Sequence, residues 1–73
     1  MSVLKTRIKE LRWEKKVQQA ELAKIVGVRR ETIVNLENGK YNPSLKLALD
    51  IAKFFPLPVE DIFQLEDDEE DEG

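Results

Sequence analysis

Five polar side chains fall close together near the middle of this chain: Arg29, Arg30, Glu31, Thr32 and Asn35. Their chemistry is hydrogen bonding rather than bond making. An arginine fork matches paired acceptors such as O6 and N7 of guanine, and asparagine matches N6 and N7 of adenine. A threonine methyl can meet the thymine methyl, and Glu31 can accept from a cytosine amino group or orient an arginine by pairing with it. A second set, Asn38, Lys40, Asn42 and Lys46, carries donors that suit phosphate oxygens, contacts that fix register and carry no sequence information. Covalent chemistry has little to work with. The chain has no histidine and no cysteine, so the commonest general base, the commonest zinc ligand and any disulfide are missing. The carboxylates fall on helix exteriors or at the carboxy terminus, without a glycine-rich loop or a cation-binding spacing. The expectation is therefore no enzyme, no metal and no cofactor.

The elements that must position these groups lie between Gln19 and Gly39. Leu22, Ala23 and Val26 share one face of a first short amphipathic helix, and Gly27, free to take positive φ, breaks it. A second helix turns Ile33, Leu36 and Glu37 inward and Arg30, Glu31, Thr32 and Asn35 outward, and Gly39 stops it. A small alanine one turn before a glycine lets two helices cross closely and steeply, the spacing of a helix-turn-helix. Around this motif the pattern predicts a first helix over about residues 5–16, with Leu4, Ile8 and Leu11 facing inward. Ser44 is an N-cap candidate for a helix over 45–54, whose stripe is read as Leu45, Ala48, Leu49, Ala52 and Phe55. Pro56 to Pro58 break that helix, and Pro58 opens a last one over 59–63. Ile8, Leu11, Leu22, Ile33, Leu36, Leu49 and Phe63 are the predicted core, with Trp13 packed partly beside the first helix.

Seventy-three residues give room for one domain with a small core. The formal net charge of −3 hides a segregation. Seven of the fifteen acids, Glu66 to Glu72, lie in the last eight residues, which leaves eight acids against twelve bases, a net of +4, before them. The division is thus 1–65, a mildly basic folded domain suited to phosphates, and 66–73, an acidic tail expected to be disordered and solvated. A sharper reading has the tail compete with nucleic acid for the basic face. No apolar run approaches the length of a membrane span, and no leader pattern is evident, so a cytoplasmic location is expected. High Lys and Glu content is compatible with a thermophilic source.

The quoted pieces RIKELR (from Arg7), QQAELA (from Gln18), VGV (from Val26), ETIVNLENGKYNPSL (from Glu31), ALDIAKFF (from Ala48) and VEDIF (from Val59) resemble the Cro/C1-type family of helix-turn-helix regulators. The resemblance spans about residues 4–63 and is closest to short stand-alone forms of the phage-repressor and cytolysin-repressor type. It implies an all-α, five-helix, lambda-repressor-like DNA-binding domain with a central helix-turn-helix. In some relatives the termini pair as a two-stranded ribbon, here predicted as residues 3–5 against 63–65. It implies a recognition helix with its N-terminal residues in the major groove, and Gln19 on the DNA backbone. It also implies an Arg12–Glu37 ion pair linking the first helix to the recognition helix. Arg29 and Gln18 stand where relatives usually place Ser or Thr caps, and Pro56 where they often have glycine, which forbids positive φ there. A homodimer on a palindromic double-stranded operator follows from two-fold symmetry, with Leu57, Pro58, Val59 and Ile62 as its interface. The function implied is a sequence-specific transcriptional regulator, acting as a repressor. The alternative is an antitoxin-like module that binds a partner protein, through the acidic tail, as well as its own operator.

Overall fold

The computed structural model describes residues 2–67. Five helices and one two-stranded ribbon follow in the order β1 (Ser2–Thr6), α1 (Ile8–Lys15), α2 (Gln19–Val26), α3 (Arg30–Glu37), α4 (Leu45–Phe54), α5 (Val59–Ile62) and β2 (Phe63–Asp67). The strands pair antiparallel with Leu4 opposite Leu65 and Ser2 opposite Asp67. The ribbon therefore exceeds the expected 3–5 and 63–65 by residues at both ends. It also takes Leu4 and Lys5 out of the first helix, which starts only at Ile8. Glu66 and Asp67, counted with the acidic tail in the expected division, pair in the ribbon. The disorder expected of the tail concerns residues 68–73, outside the described range.

Ile8, Leu22, Ile33, Leu36, Ile51 and Ile62 are fully buried, one or more from each helix. Each such side chain is worth about 1.5–3 kcal/mol relative to exposure, so these six dominate the small core. Leu4 and Val59 pack half-buried against it. The backbone N–H of Arg7 donates to the carbonyl of Ile62 at 2.9 Å, and its guanidinium to the carbonyl of Asp61, tying the start of α1 to the last helix. A hydrogen bond to the Glu10 carboxylate, together with its charge, raises the pKa of Arg7.

Four helices end in the same way. After α1, α2, α3 and α4 comes a residue at positive φ, respectively Lys16, Gly27, Gly39 and Pro56. The residue after each, Val17, Val28, Lys40 and Leu57, returns its N–H to the carbonyl five residues back. This pattern satisfies carbonyls that the helix leaves open, and glycine is its usual residue. Two of the four positions break that preference. Lys16 holds φ 58, and Pro56 holds φ 26 against a ring that favours about −65°.

Three other expectations fail. Leu49 is 51% exposed and Leu45 73%, while Leu47 and Ile51 are buried with Ala48, Ala52 and Phe55. The polar residues Lys46, Asp50 and Lys53 occupy one side of α4, and at 100° per residue Leu49 lies next to that arc rather than opposite it. Trp13 is 69% exposed, beside Lys9, Glu10 and Glu14 rather than packed. Ile62, expected at a dimer surface, is entirely inside the protomer's own core.

Candidate nucleic-acid interface

Ile33 and Leu36 fix which way α3 faces. With those two inward, Arg30, Glu31, Asn35 and Asn38 are exposed on the opposite side, and Arg29 is exposed at the N-cap. Thr32 lies on the far edge of this face and is half-buried. Between Arg30 and Asn38 on this face sits Val34, half-buried, which sequence reasoning passed over. The helical spacing from Arg30 alone would have found it, four residues on.

Neither glutamine nor arginine at the caps supplies the usual side-chain hydroxyl. Arg29 is extended and makes no capping hydrogen bond, leaving a cation at the positive end of a helix dipole. Ahead of α2, the N–H of Gln18 is accepted by the Glu21 carboxylate at 2.9 Å, one half of a capping box. By contrast α4 has a full hydroxyl cap, with Ser44 accepting from the N–H of Leu47 at 3.1 Å.

A continuous hydrogen-bond chain runs from the interior to the exposed face. Arg12 grips Glu37 with two bonds, Nε to Oε2 at 2.7 Å and Nη2 to Oε1 at 3.2 Å. Its third nitrogen donates to the carbonyl of Val17 at 3.0 Å. Both side chains are more than nine-tenths buried. The same Glu37 Oε1 accepts from Nε2 of Gln19 at 3.1 Å, and Gln19 Oε1 accepts from Nη2 of Arg30 at 3.2 Å. Three helices thus meet in one polar network, which orients the Gln19 amide and aims it at Arg30. Among the described residues no buried side-chain nitrogen or oxygen lacks a partner, the condition under which a buried ion pair is tolerable.

The phosphate candidates are less tightly grouped. Asn38 caps the exposed end of α3, with Lys40 and Asn42 exposed in the loop after it. Lys46 is exposed on α4 but already pairs with Asp50 at 2.8 Å. The α3 end is held against the ribbon: a Cβ on Gly39 would stand 3.3 Å from the Leu4 carbonyl, so both its φ of 73 and its contact favour glycine. Among the described residues no group of three His, Cys, Asp or Glu is placed to hold a metal ion, and no helix is long and apolar enough to cross a membrane.

Two short packed helices joined by a glycine turn, with an exposed polar face on the second, fit a helix-turn-helix DNA-binding domain. The family pattern described as helix-turn-helix matches residues 8–62, and the chain belongs to that family, in its Cro/C1-type branch. It is 61% identical over 66 residues to an uncharacterized HTH-type transcriptional regulator of Archaeoglobus fulgidus, covering 90% of this chain and 93% of that one. Over 57 residues it is 32% identical to the cryptic phage CTXphi transcriptional repressor RstR of Vibrio cholerae, covering 78% of this chain and 51% of RstR. Among solved structures, the restriction-modification controller protein C.AhdI of Aeromonas hydrophila is similar, with a TM-score of 0.68 and 31% identity. That match covers 75% of this chain and 83% of C.AhdI. The chain is a transcriptional regulator with a helix-turn-helix DNA-binding domain, and not an enzyme.

Proposed function

We propose that this chain is a repressor that binds a palindromic duplex operator as a homodimer, with α3 in the major groove. The observation that carries the reading is the chain Arg12–Glu37–Gln19–Arg30, which anchors a guanidinium at the N-terminal end of an exposed helix. In this class of domain the N-terminal residues of the recognition helix contact base edges. Arg30 then reads guanine, Asn35 adenine, Glu31 cytosine, and the Val34 methyls lie where a thymine methyl would meet them. Arg29 and Thr32 flank the reading face. Gln19, Asn38, Lys40, Asn42 and Lys46 hold phosphates, with Gln19 also steadying Arg30.

Two copies double the contact and match a two-fold operator. Pro58 is exposed, and Leu57 and Val59, half-buried against the core, leave part of their surface for that pairing, while Ile62 drops out because it is buried. Exposed Leu45 and Leu49, four residues apart on α4, add apolar surface that the protomer's own core does not use. Repression is supported by the similarity to RstR, a transcriptional repressor. The partner-neutralising reading finds no support in these relatives.

Selection from a pool of randomised duplexes tests the proposal, run with wild type and with Arg30→Ala. Enrichment of a palindrome by the wild type, with guanine preference lost at one symmetric position in the variant, is the expected result. A selected site without two-fold symmetry would overturn the dimer, and an unchanged site in the variant would overturn the role of Arg30.

A further inference from the structure

Two residues around the end of α1 sit against local preference. Lys16, just past the helix, holds the positive φ that suits glycine, and Trp13, one turn earlier, stands in solvent. Residues held in such backbone conformations cluster where a side chain serves a ligand. Resting on the DNA-binding reading of α3, we propose that Lys16 and Trp13 together hold a further phosphodiester of the duplex, next to the backbone contact of Gln19.

Both side chains border one open groove of about 320 Å³, whose other walls are Arg12, Val17 and Gln18. No carboxylate lines it, so an anion there meets the Lys16 ammonium without a like charge on the walls. A second groove bordered by Trp13 carries Glu10 and Glu14 beside Arg7 and Lys9, and so lacks that preference for anions. Lys15, the neighbouring lysine, is engaged elsewhere, its amine 5.3 Å from the centre of the Phe54 ring. An ammonium binds phosphate as a point charge, and the indole N–H supplies a donor that a phosphate oxygen accepts.

The groove is fixed to the reading helix. The Arg12 carbonyl accepts the N–H of Val17 at 3.0 Å, and Arg12 Nη1 donates to the Val17 carbonyl at 3.0 Å. The same guanidinium grips Glu37 of α3. Gln18, on the groove wall, directly precedes Gln19, whose amide joins Glu37 to Arg30. A backbone held at Gln19 therefore has a neighbouring phosphate within reach of the flexible four-carbon stem of Lys16. Lysine at this turn gives up stability that glycine would supply, in exchange for a contact to DNA.

The test uses the full-length chain and the duplex selected with wild type. Wild type, Lys16→Gly and Trp13→Phe are titrated by fluorescence anisotropy, and each phosphate in turn is replaced by a neutral methylphosphonate. Lys16→Gly, which relieves the backbone, should bind roughly tenfold more weakly at 50 mM salt and about threefold more weakly at 200 mM, because one counterion fewer is released. Trp13→Phe should lose about threefold with its salt dependence unchanged, since the donor removed is neutral. At one phosphate, methylphosphonate should weaken wild type and leave Lys16→Gly unaffected. Unchanged affinity of Lys16→Gly, or equal losses in both proteins at every methylphosphonate, would overturn the contact; the DNA reading then stands if Arg30→Ala still weakens binding. Failure of wild type to bind any duplex of the pool would overturn the DNA reading and the contact with it.

Discussion

Glu37 serves three helices with two oxygens. It receives two bonds from Arg12 and one from Gln19, and it is almost wholly buried. Removing one member of such a pair leaves a buried charge uncompensated, at a cost of about 3–5 kcal/mol. Glu37→Gln should therefore lower the unfolding free energy by about 3 kcal/mol in urea titration. The pair Arg12→Met/Glu37→Leu should regain most of that loss, because neither charge is then stranded. A double variant no more stable than Glu37→Gln would contradict this account. The Arg12–Glu37 link was legible in the sequence, through the resemblance to Cro/C1-type regulators. Its extension to Gln19 and Arg30 was not, because an amide bridging residues 18 positions apart depends on rotamers that spacing does not encode. Val34 was legible and missed; only its helical angle, not its chemistry, marks it.

Helix ends show where the sequence departs from its own backbone. Four helices use the same positive-φ closure, and two of the four residues in it are not glycine. A left-handed conformation costs a non-glycine residue about 1–2 kcal/mol. Lys16→Gly should raise Tm by roughly 3–6 °C, allowing for the entropy that glycine adds to the unfolded chain. Pro56→Gly should also raise Tm, since it restores an N–H able to reach the Lys53 carbonyl and supplies the residue usual at this closure. The other three closures all make that bond, from Lys16, Gly27 and Gly39. Calorimetry on both variants checks the claim, and a fall in Tm for either would contradict it at that turn. The phase of α4 was recoverable from Lys46, Asp50 and Lys53, whose shared side points Leu47 and Ile51 inward. Eight apolar residues in the eleven from Leu45 to Phe55 masked that signal by permitting a second stripe. The ribbon needed both termini at once, a pairing across more than sixty residues that no local pattern specifies.

As a whole molecule, the chain separates a mildly basic reading domain from an acidic extension. On the proposed reading, one domain covers one half-site and the second copy supplies the remaining specificity. The segregation of charge was fully legible in the sequence, because it needs only a count of acids and bases along the chain. Burial of Ile62 was not legible, because a four-residue helix carries too little periodicity to reveal its inner side.

The central claim is that Arg30, steadied through Gln19 and Glu37, reads guanine from the major groove. It is tested most directly by replacing single guanines of the selected duplex with 7-deazaguanine, which lacks the N7 acceptor. Affinities are then measured for wild type and for Arg30→Ala. At one symmetric position the wild type should lose about 1–3 kcal/mol of binding, while the variant, already weakened, should lose nothing further. Undiminished wild-type binding at every substituted guanine, or an equal loss in both proteins, would contradict it.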